Sequence, residues 1–315
     1  MEAIVVDKLR KQFDPPKGPV AVDEVSFQIG EGEIFSLLGP NGAGKTTTIS
    51  ILSCLLRPDS GEARVGGFSV TGEAEKVKRL IGVVPQDIAL YEDLSGRENL
   101  MFWGRMYGMG GAELNKRVDE VLEMIGLVDR QKDRVDKYSG GMKRRVNIGA
   151  ALLHKPSLLY LDEPTVGIDP QSRRSILDGV KDLNASGMTV LYTTHYMEEA
   201  QELSDRIGIM DKGAMIAVGT QADLVRMVGE QTRIDLALDR EAHLLAERWR
   251  GLAGVSSVSE PEDGRVWLLV DDANTLMPRL FEDARAAGAR ITEINLAEPN
   301  LEMVFLQLTG RALRD

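Results

Sequence analysis

Over about the first 220 residues of this chain, short apolar runs alternate with longer stretches of amphipathic spacing. Four of these runs, at residues 34–38, 81–84, 158–161 and 189–194, are short and rich in aliphatic side chains, as buried strands are. Because strands separated by helical segments pair side by side in a parallel sheet, the pattern predicts an α/β domain over residues 1–222.

Residues 97–155 lack such strand-like runs, and their apolar positions recur at helical spacing. Between residues 113 and 125 the apolar side chains that fall near one helix face are Leu114, Val118, Val121, Leu122 and Ile125. We therefore expect a helical subdomain, inserted into the α/β domain between the second and third of the strands.

The pattern changes after Gly219, where strand-like and helix-like segments follow in a new order. The predicted elements are a strand at 232–238, a helix at 241–249, strands at 255–259 and 265–270 around a turn at 261–264, a helix at 275–287, a strand at 290–296 and a helix at 301–308. The order βαββαβ plus a helix predicts a small ferredoxin-like α+β domain over residues 230–315.

Composition narrows the class of protein. The 38 basic and 49 acidic residues give a net charge of −11, which argues against a nucleic-acid-bound protein because no basic footprint is present. Cys54 is the single cysteine, so a reducing compartment fits best and no disulfide forms within the chain. The first residues lack the pattern of a signal peptide, and no apolar stretch approaches the roughly 18 residues that cross a bilayer. If the protein works at a membrane, we expect another polypeptide to cross it.

A glycine-rich segment directly follows the strand at 34–38 and precedes a predicted helix at 46–56. Gly39 to Thr46 matches the pattern G-x-x-x-x-G-K-[ST] of a nucleoside triphosphate-binding loop. Glycines let backbone amides approach the phosphates closely, and the helix N-terminus favours the same negative charge. Lys45 is expected to reach the β- and γ-phosphates, and the Thr46 hydroxyl is expected to coordinate magnesium.

Two carboxylates follow the strand at 158–161. Asp162 ends the apolar run, and at such a strand end an aspartate holds the shell of the magnesium ion, while the adjacent Glu163 can polarise the attacking water. The strand at 189–194 leads in the same way into His195. Because ligands bind at the carboxyl ends of strands in open α/β sheets, the three segments predict one shared site.

A further segment, Tyr138-Ser139-Gly140-Gly141-Met142, lies between the phosphate loop and the carboxylates. A serine at a helix N-cap followed by two glycines leaves amides exposed to an anion. The basic residues 143–145 that follow form either a solvated helix face or part of that anion site. With the loop Gly167-Ile168-Asp169-Pro170 these motifs stand in the order of the ATP-binding cassette (ABC) family, which the chain resembles over roughly residues 1–220.

The resemblance implies a P-loop fold with a mostly parallel core sheet, antiparallel N-terminal strands and an inserted helical subdomain. It implies that Phe13 stacks on adenine, that Gln86 contacts magnesium and the attacking water, and that His195 contacts the γ-phosphate. Glu163, His195, Gln86 and Lys45 are then the catalytic candidates. The ATP-binding candidates are Phe13, Gly39, Pro40, Asn41, Gly42, Ala43, Gly44, Lys45, Thr46, Thr47, Ser139, Gly140, Gly141 and Asp169, and the magnesium candidates are Thr46, Gln86 and Asp162.

By the same resemblance, two copies pack head to tail when ATP is bound. Each ATP would lie between the phosphate loop of one copy and Ser139 to Gly141 of the other, with Asp169 bridging the subunits. Met142 departs from the glutamine that the family most often has, and Ile168 stands where leucine is usual. Many relatives with methionine at this position are export ATPases.

The segment from Glu298 to Gly310 resembles the closing helix of drug and antibiotic exporter ATPases of the daunorubicin-resistance type. Such proteins pair with separate membrane subunits of the ABC-2 class, which implies a place at the cytoplasmic face of the membrane. A soluble or regulatory ABC ATPase that does not itself drive transport is the alternative. The cargo is not specified by this chain.

Overall fold

The computed structural model describes residues 2–227, 232–297 and 300–309. The chain folds into two compact units, with the boundary between Thr220 and Gln221. Strands are numbered β1 to β14 and helices α1 to α11 in chain order. No helix within the described ranges is both long and apolar enough to cross a bilayer. Glu298, Pro299 and Gly310 of the C-terminal segment lie outside the described residues.

The first unit contains two sheets. The core sheet has the order β10-β9-β3-β8-β7-β6, formed by Ala214–Gly219, Arg206–Asp211, Ile34–Leu38, Thr189–Thr194, Leu158–Asp162 and Ile81–Val84. Its pairs are parallel except β9 with β10 at one edge. The second sheet is antiparallel, in the order β2-β1-β4-β5, formed by Val20–Gly30, Glu2–Gln12, Ser60–Val65 and Phe68–Ser69. Both the parallel core and the antiparallel N-terminal strands are confirmed.

Side chains alternate between the two faces of the core sheet, as the period of two in a strand requires. Along β7, Leu158 and Tyr160 join the core that includes the N-terminal sheet, whereas Leu159 and Leu161 join the core on the other face. Because the sheet is covered on both faces, its strands read as nearly continuous apolar runs in the sequence.

The α-helices described in the first unit are α1 Lys45–Leu52, α2 Ala74–Leu80, α3 Gly96–Met106, α4 Gly111–Met124, α5 Gly140–Leu152, α6 Pro170–Ala185 and α7 Met197–Leu203. Helices α3 to α5 form the predicted helical subdomain around their own core. All five apolar positions predicted for α4 and its C-terminal end are buried. The predicted helix at 46–56 was too long, because α1 ends at Leu52 and Cys54 turns into the left-handed region with φ 60°.

The second unit begins with α8, Gln221–Met227, and then follows the order β11 Thr232–Leu238, α9 Ala242–Trp249, β12 Val255–Val258, β13 Arg265–Val270, α10 Ala273–Ala286, β14 Ile291–Ala297 and α11 Leu301–Thr309. The sheet order is β12-β13-β11-β14 and its pairs are antiparallel. This is the predicted ferredoxin-like arrangement. Its core contains Trp249, which is fully buried, and aliphatic side chains of the strands and of α9 and α10.

Candidate ATP-binding site

The ends of three neighbouring parallel strands form the site. In the core sheet β8 lies between β3 and β7, with Leu38 paired to Thr194 and Asp162 paired to Thr193. Because the strands run in the same direction, the segments that follow them emerge at the same edge of the sheet. The phosphate loop, Glu163 and His195 are therefore neighbours in space, although they are distant along the sequence.

The phosphate loop packs tightly against the backbone of the core. A Cβ at Gly39 would lie 2.3 Å from the Met210 carbonyl oxygen, and one at Gly44 would lie 2.3 Å from the Ala21 carbonyl oxygen. Gly44 also has a φ of 103° at the N-cap of α1. Only glycine fits these two positions, so the loop delivers its amides and the helix N-terminus to one place.

Lys45 is the first residue of α1 and is only 4% exposed. Its Nζ lies 2.6 Å from the Gly39 carbonyl oxygen, 3.1 Å from that of Pro40 and 2.9 Å from Glu163 Oε1. An ammonium group has three donors, and these contacts engage all of them. A phosphate oxygen would therefore bind Lys45 only by exchanging with one of these partners.

Glu163 connects the lysine to the histidine. Its Oε2 lies 3.0 Å from His195 Nδ1, while Oε1 contacts Lys45, and its side chain is almost completely buried. The backbone of Glu163 has a φ of 44°, a conformation that is rare for a residue other than glycine. This turn directs the carboxylate away from the strand and toward the phosphate loop. The carboxylate is thus held beside the phosphate loop, in the position that a general base for hydrolysis would occupy.

Thr193 fixes the two acidic residues relative to each other. Its hydroxyl donates to Asp162 Oδ1 at 2.6 Å and accepts from the Glu163 amide at 3.0 Å. Asp162 thus remains at the end of β7 as a buried carboxylate. That Asp162 serves magnesium and Glu163 the attacking water stays a prediction.

The donors proposed for magnesium fit its chemistry. Asp162 offers a carboxylate, Thr46 an exposed hydroxyl and Gln86 an exposed amide, all of which are hard oxygen donors. Within the described ranges no group of three or more His, Cys, Asp or Glu residues could hold a metal alone. A magnesium ion here would therefore depend on the phosphates for several of its ligands, as Mg²⁺ commonly does.

Gln86 lies in the loop after β6, and this loop is attached to α5. Arg144, which is 3% exposed, donates to the carbonyl oxygens of Pro85 and Gln86 at 2.7 and 2.6 Å. Asn147, one turn further along, accepts from the Ala89 amide at 3.3 Å. The prediction of a solvated helix face is therefore wrong for Arg144. Its guanidinium is buried, and it has enough donors to satisfy two backbone carbonyls there.

Ser139 caps α5, accepting a hydrogen bond at Oγ from the Met142 amide at 3.2 Å. Gly140 and Gly141 begin the helix, and a Cβ at Gly141 would lie 2.1 Å from Ser172 Oγ. Within this chain the segment thus lies against α6. Lys45, Asp162, Glu163 and His195 are brought together by the strand ends, whereas Ser139 to Gly141 start a separate helix.

Two remaining candidates lie at exposed turns. Asp169 caps α6 by accepting from the Ser172 amide at 2.9 Å, and this hydrogen bond lowers the pKa of the Asp169 carboxyl. Phe13 follows β1 and is 38% exposed. An exposed aromatic ring can serve as a stacking platform.

Arg144 and Glu199 belong to the surroundings of the site, but the sequence did not single out either of them. Glu199 is a buried acidic residue in α7 that accepts hydrogen bonds from three hydroxyl groups. The sequence does show an acidic residue one turn after His195, but it does not show which side chains donate hydrogen bonds to it.

The doubly covered parallel sheet, the phosphate loop at its centre and the inserted helices define the ATP-binding domain of an ABC protein. The family model for ABC transporters matches residues 22–166. The chain is 52% identical to the linearmycin resistance ATP-binding protein LnrL of Bacillus subtilis, over 93% of this chain and 95% of that protein. The chain therefore belongs to the ABC transporter family and is an ATP-hydrolysing subunit of a transporter.

Other relatives agree. The doxorubicin resistance ATP-binding protein DrrA of Mycobacterium tuberculosis is 40% identical over 98% of this chain and 93% of that protein. The Nod factor export ATP-binding protein I of Paraburkholderia xenovorans is 37% identical over 99% of both. Among solved structures, the dimeric post-hydrolysis state of the cassette MJ0796 with ADP and Pi has a TM-score of 0.63 and 29% identity, covering 69% of this chain and 98% of that one.

Proposed function

We propose that this chain hydrolyses ATP to drive export of a drug, antibiotic or lipid-like molecule through a separate membrane subunit. The observation that carries the ATPase role is the buried chain of contacts from Lys45 through Glu163 to His195 at the end of the phosphate loop. The export role is supported by relatives named for linearmycin and doxorubicin resistance, which match almost the full chain.

In this proposal each site residue has one role. Amides of residues 39–47 and Lys45 bind the phosphates, and Phe13 stacks on adenine. Glu163 accepts a proton from the attacking water, while His195 holds the γ-phosphate. Thr46, Asp162 and Gln86 would hold magnesium, which neutralises charge on the β- and γ-phosphates when it is bound.

We propose that ATP joins two copies of the chain. The exposed Asp169 and the amides of Ser139 to Gly141, at the N-terminus of α5, would then face a partner copy and its γ-phosphate. Because only the closed dimer contacts both sides of ATP, binding shifts the population toward the closed state and hydrolysis reverses the shift. A solved relative with ADP and Pi is dimeric, which supports this proposal.

We further propose that the membrane subunit is of the ABC-2 class and holds this protein at the cytoplasmic face of the membrane. Residues 1–222 would form the ABC ATP-binding domain and residues 230–315 an accessory domain. The loop of Gln86, fastened to α5 by Arg144, is the segment that would pass motion between ATP and the membrane subunit.

The test is reconstitution with a candidate ABC-2 membrane protein, sought first among the products of the adjacent genes. We expect the two to copurify, and ATP hydrolysis in vesicles to drive drug transport that is lost with the Glu163→Gln variant. Hydrolysis that proceeds at the same rate with and without the membrane protein, with no transport, would instead support a regulatory ABC ATPase.

Met142 is expected to leave hydrolysis intact. The cap at Ser139 uses the backbone amide of Met142, and the Met142 side chain packs against the helical core. The Met142→Gln variant should therefore retain its ATPase rate within about twofold, because a backbone cap survives the change of side chain. A large increase in steady-state ATPase rate would show that the methionine limits hydrolysis.

A further inference from the structure

Glu199 is a buried carboxylate to which the proposed ATPase mechanism assigns no role. It lies in α7, shortly after His195, and is only 2% exposed. Burying a carboxylate is costly unless hydrogen bonds or charges compensate it. The partners of Glu199 therefore show what this carboxylate holds in place.

Three hydroxyl groups donate to the two oxygens of Glu199. Thr165 Oγ1 lies 2.6 Å from Oε1, while Tyr192 Oη and Thr194 Oγ1 lie 2.9 and 2.8 Å from Oε2. Tyr192 lies within strand β8, but the two threonines adjoin the segments that carry Glu163 and His195. Burial raises the pKa of the Tyr192 phenol, so this hydroxyl remains a donor.

The hydroxyl of Thr194 is used twice. It donates to Glu199 and accepts from the Tyr196 amide at 2.9 Å, so it closes the turn in which His195 is the central residue. Thr165 follows the Glu163-Pro164 segment and links it to the same carboxylate. The Glu199 side chain thus connects the backbone near His195 to the backbone near Glu163.

A fourth contact reaches the segment of Asp169. Arg173 Nε lies 3.6 Å from Glu199 Oε1, and its guanidinium lies 4.4 Å from the centre of the Tyr196 ring. The Arg173 amide donates to the Asp169 carbonyl oxygen at 2.8 Å, so Arg173 lies one turn into the helix that Asp169 caps. The turn that would face a partner copy is thereby joined to the same buried carboxylate.

We propose that Glu199 is a positioning residue that fixes Glu163, His195 and Asp169 relative to one another for ATP hydrolysis. Glu199 contacts neither the phosphates nor water in this role, and it acts through Thr165, Thr194 and Arg173. Catalysis is sensitive to displacements of about 1 Å, whereas binding of ATP by the phosphate loop does not use these contacts. The inference rests on the proposed ATPase function.

The test separates loss of position from loss of stability. Glu199→Leu, Thr165→Val and Thr194→Val should each lower kcat at saturating ATP by about tenfold, while the Kd for a fluorescent ATP analogue changes by less than about twofold. The threonine variants are isosteric, so they report on the network even if Glu199→Leu does not fold.

Tyr192→Phe is the matched control. It removes one hydroxyl from the same carboxylate, but Tyr192 lies within β8, where its own backbone is paired in the sheet, and it does not adjoin Glu163 or His195. We expect kcat within about twofold of the unaltered protein, and Thr194→Ser should restore the rate lost in Thr194→Val.

Two results would overturn the inference. The first is that kcat falls as far in Tyr192→Phe as in Thr194→Val, and that in both variants the fall follows the loss of thermal stability. The second is full activity in both threonine variants. An unaltered protein that does not hydrolyse ATP would overturn the proposed function, and this inference with it.

Discussion

The Glu163→Gln variant is expected to bind ATP at least as tightly as the unaltered protein, to hydrolyse it about 10²–10⁴-fold more slowly, and to accumulate as a closed dimer. An amide keeps the shape of the carboxylate, but it does not accept a proton from water. Because ATP joins the two copies and is no longer consumed, the population remains in the closed state. The loss of negative charge beside Lys45 also favours binding of a phosphate oxygen there.

Gel filtration with and without ATP, combined with single-turnover hydrolysis, measures both effects. Glu198→Gln is the matched control, since it makes the same chemical change at an exposed position in the first turn of α7. The control should hydrolyse ATP at the unaltered rate and show no ATP-dependent dimer that persists. A Glu163→Gln protein that is monomeric at saturating ATP would contradict the proposed dimer.

Lys45→Ala is expected to weaken ATP binding by about 10–100-fold, because charge-assisted hydrogen bonds to phosphate contribute about 1.5–3 kcal/mol. It is also expected to destabilise the protein by about 3 kcal/mol, because removing one partner leaves the buried Glu163 carboxylate without its cation. The loss of affinity measures the contact between Lys45 and phosphate. The loss of stability measures the contact between Lys45 and Glu163 in the nucleotide-free protein.

Titration with a fluorescent ATP analogue and denaturant unfolding measure the two effects separately. Lys76→Ala, which removes an exposed lysine from a surface ion pair, should change neither by a measurable amount. Adding Glu163→Gln to Lys45→Ala should recover much of the lost stability but none of the affinity. Unchanged ATP affinity in Lys45→Ala would overturn the assignment of the phosphate loop.

The sequence contained the parts of the site that depend on local pattern. The strand that ends at Leu38, the glycines that follow it and the apolar run before Asp162 all have local causes, namely burial on both sheet faces and close approach of backbone. The ferredoxin-like order of the second unit follows in the same way from alternating segments. These features were therefore predictable.

The contacts between distant segments were not predictable. Arg144 reads in sequence as one of three basic residues on a helix, and only its position against Pro85 and Gln86 shows that it is buried. The role of Glu199 likewise follows from its hydrogen bonds to hydroxyl groups outside α7, which the sequence does not show. The end of α1 at Leu52 depends on how the chain turns at Cys54, which helix propensity does not specify.

The three contacts of Lys45 also have a consequence for ligand discrimination. A ligand binds Lys45 only by replacing the Glu163 carboxylate or a backbone carbonyl, and an anion competes for the ammonium group better than a neutral acceptor does. Adenosine carries no anion, so it would leave the lysine with its internal partners and would gain only the proposed stacking of adenine on Phe13. Competition with the Glu163 carboxylate thus favours binding of phosphorylated nucleotides over binding of uncharged adenine compounds.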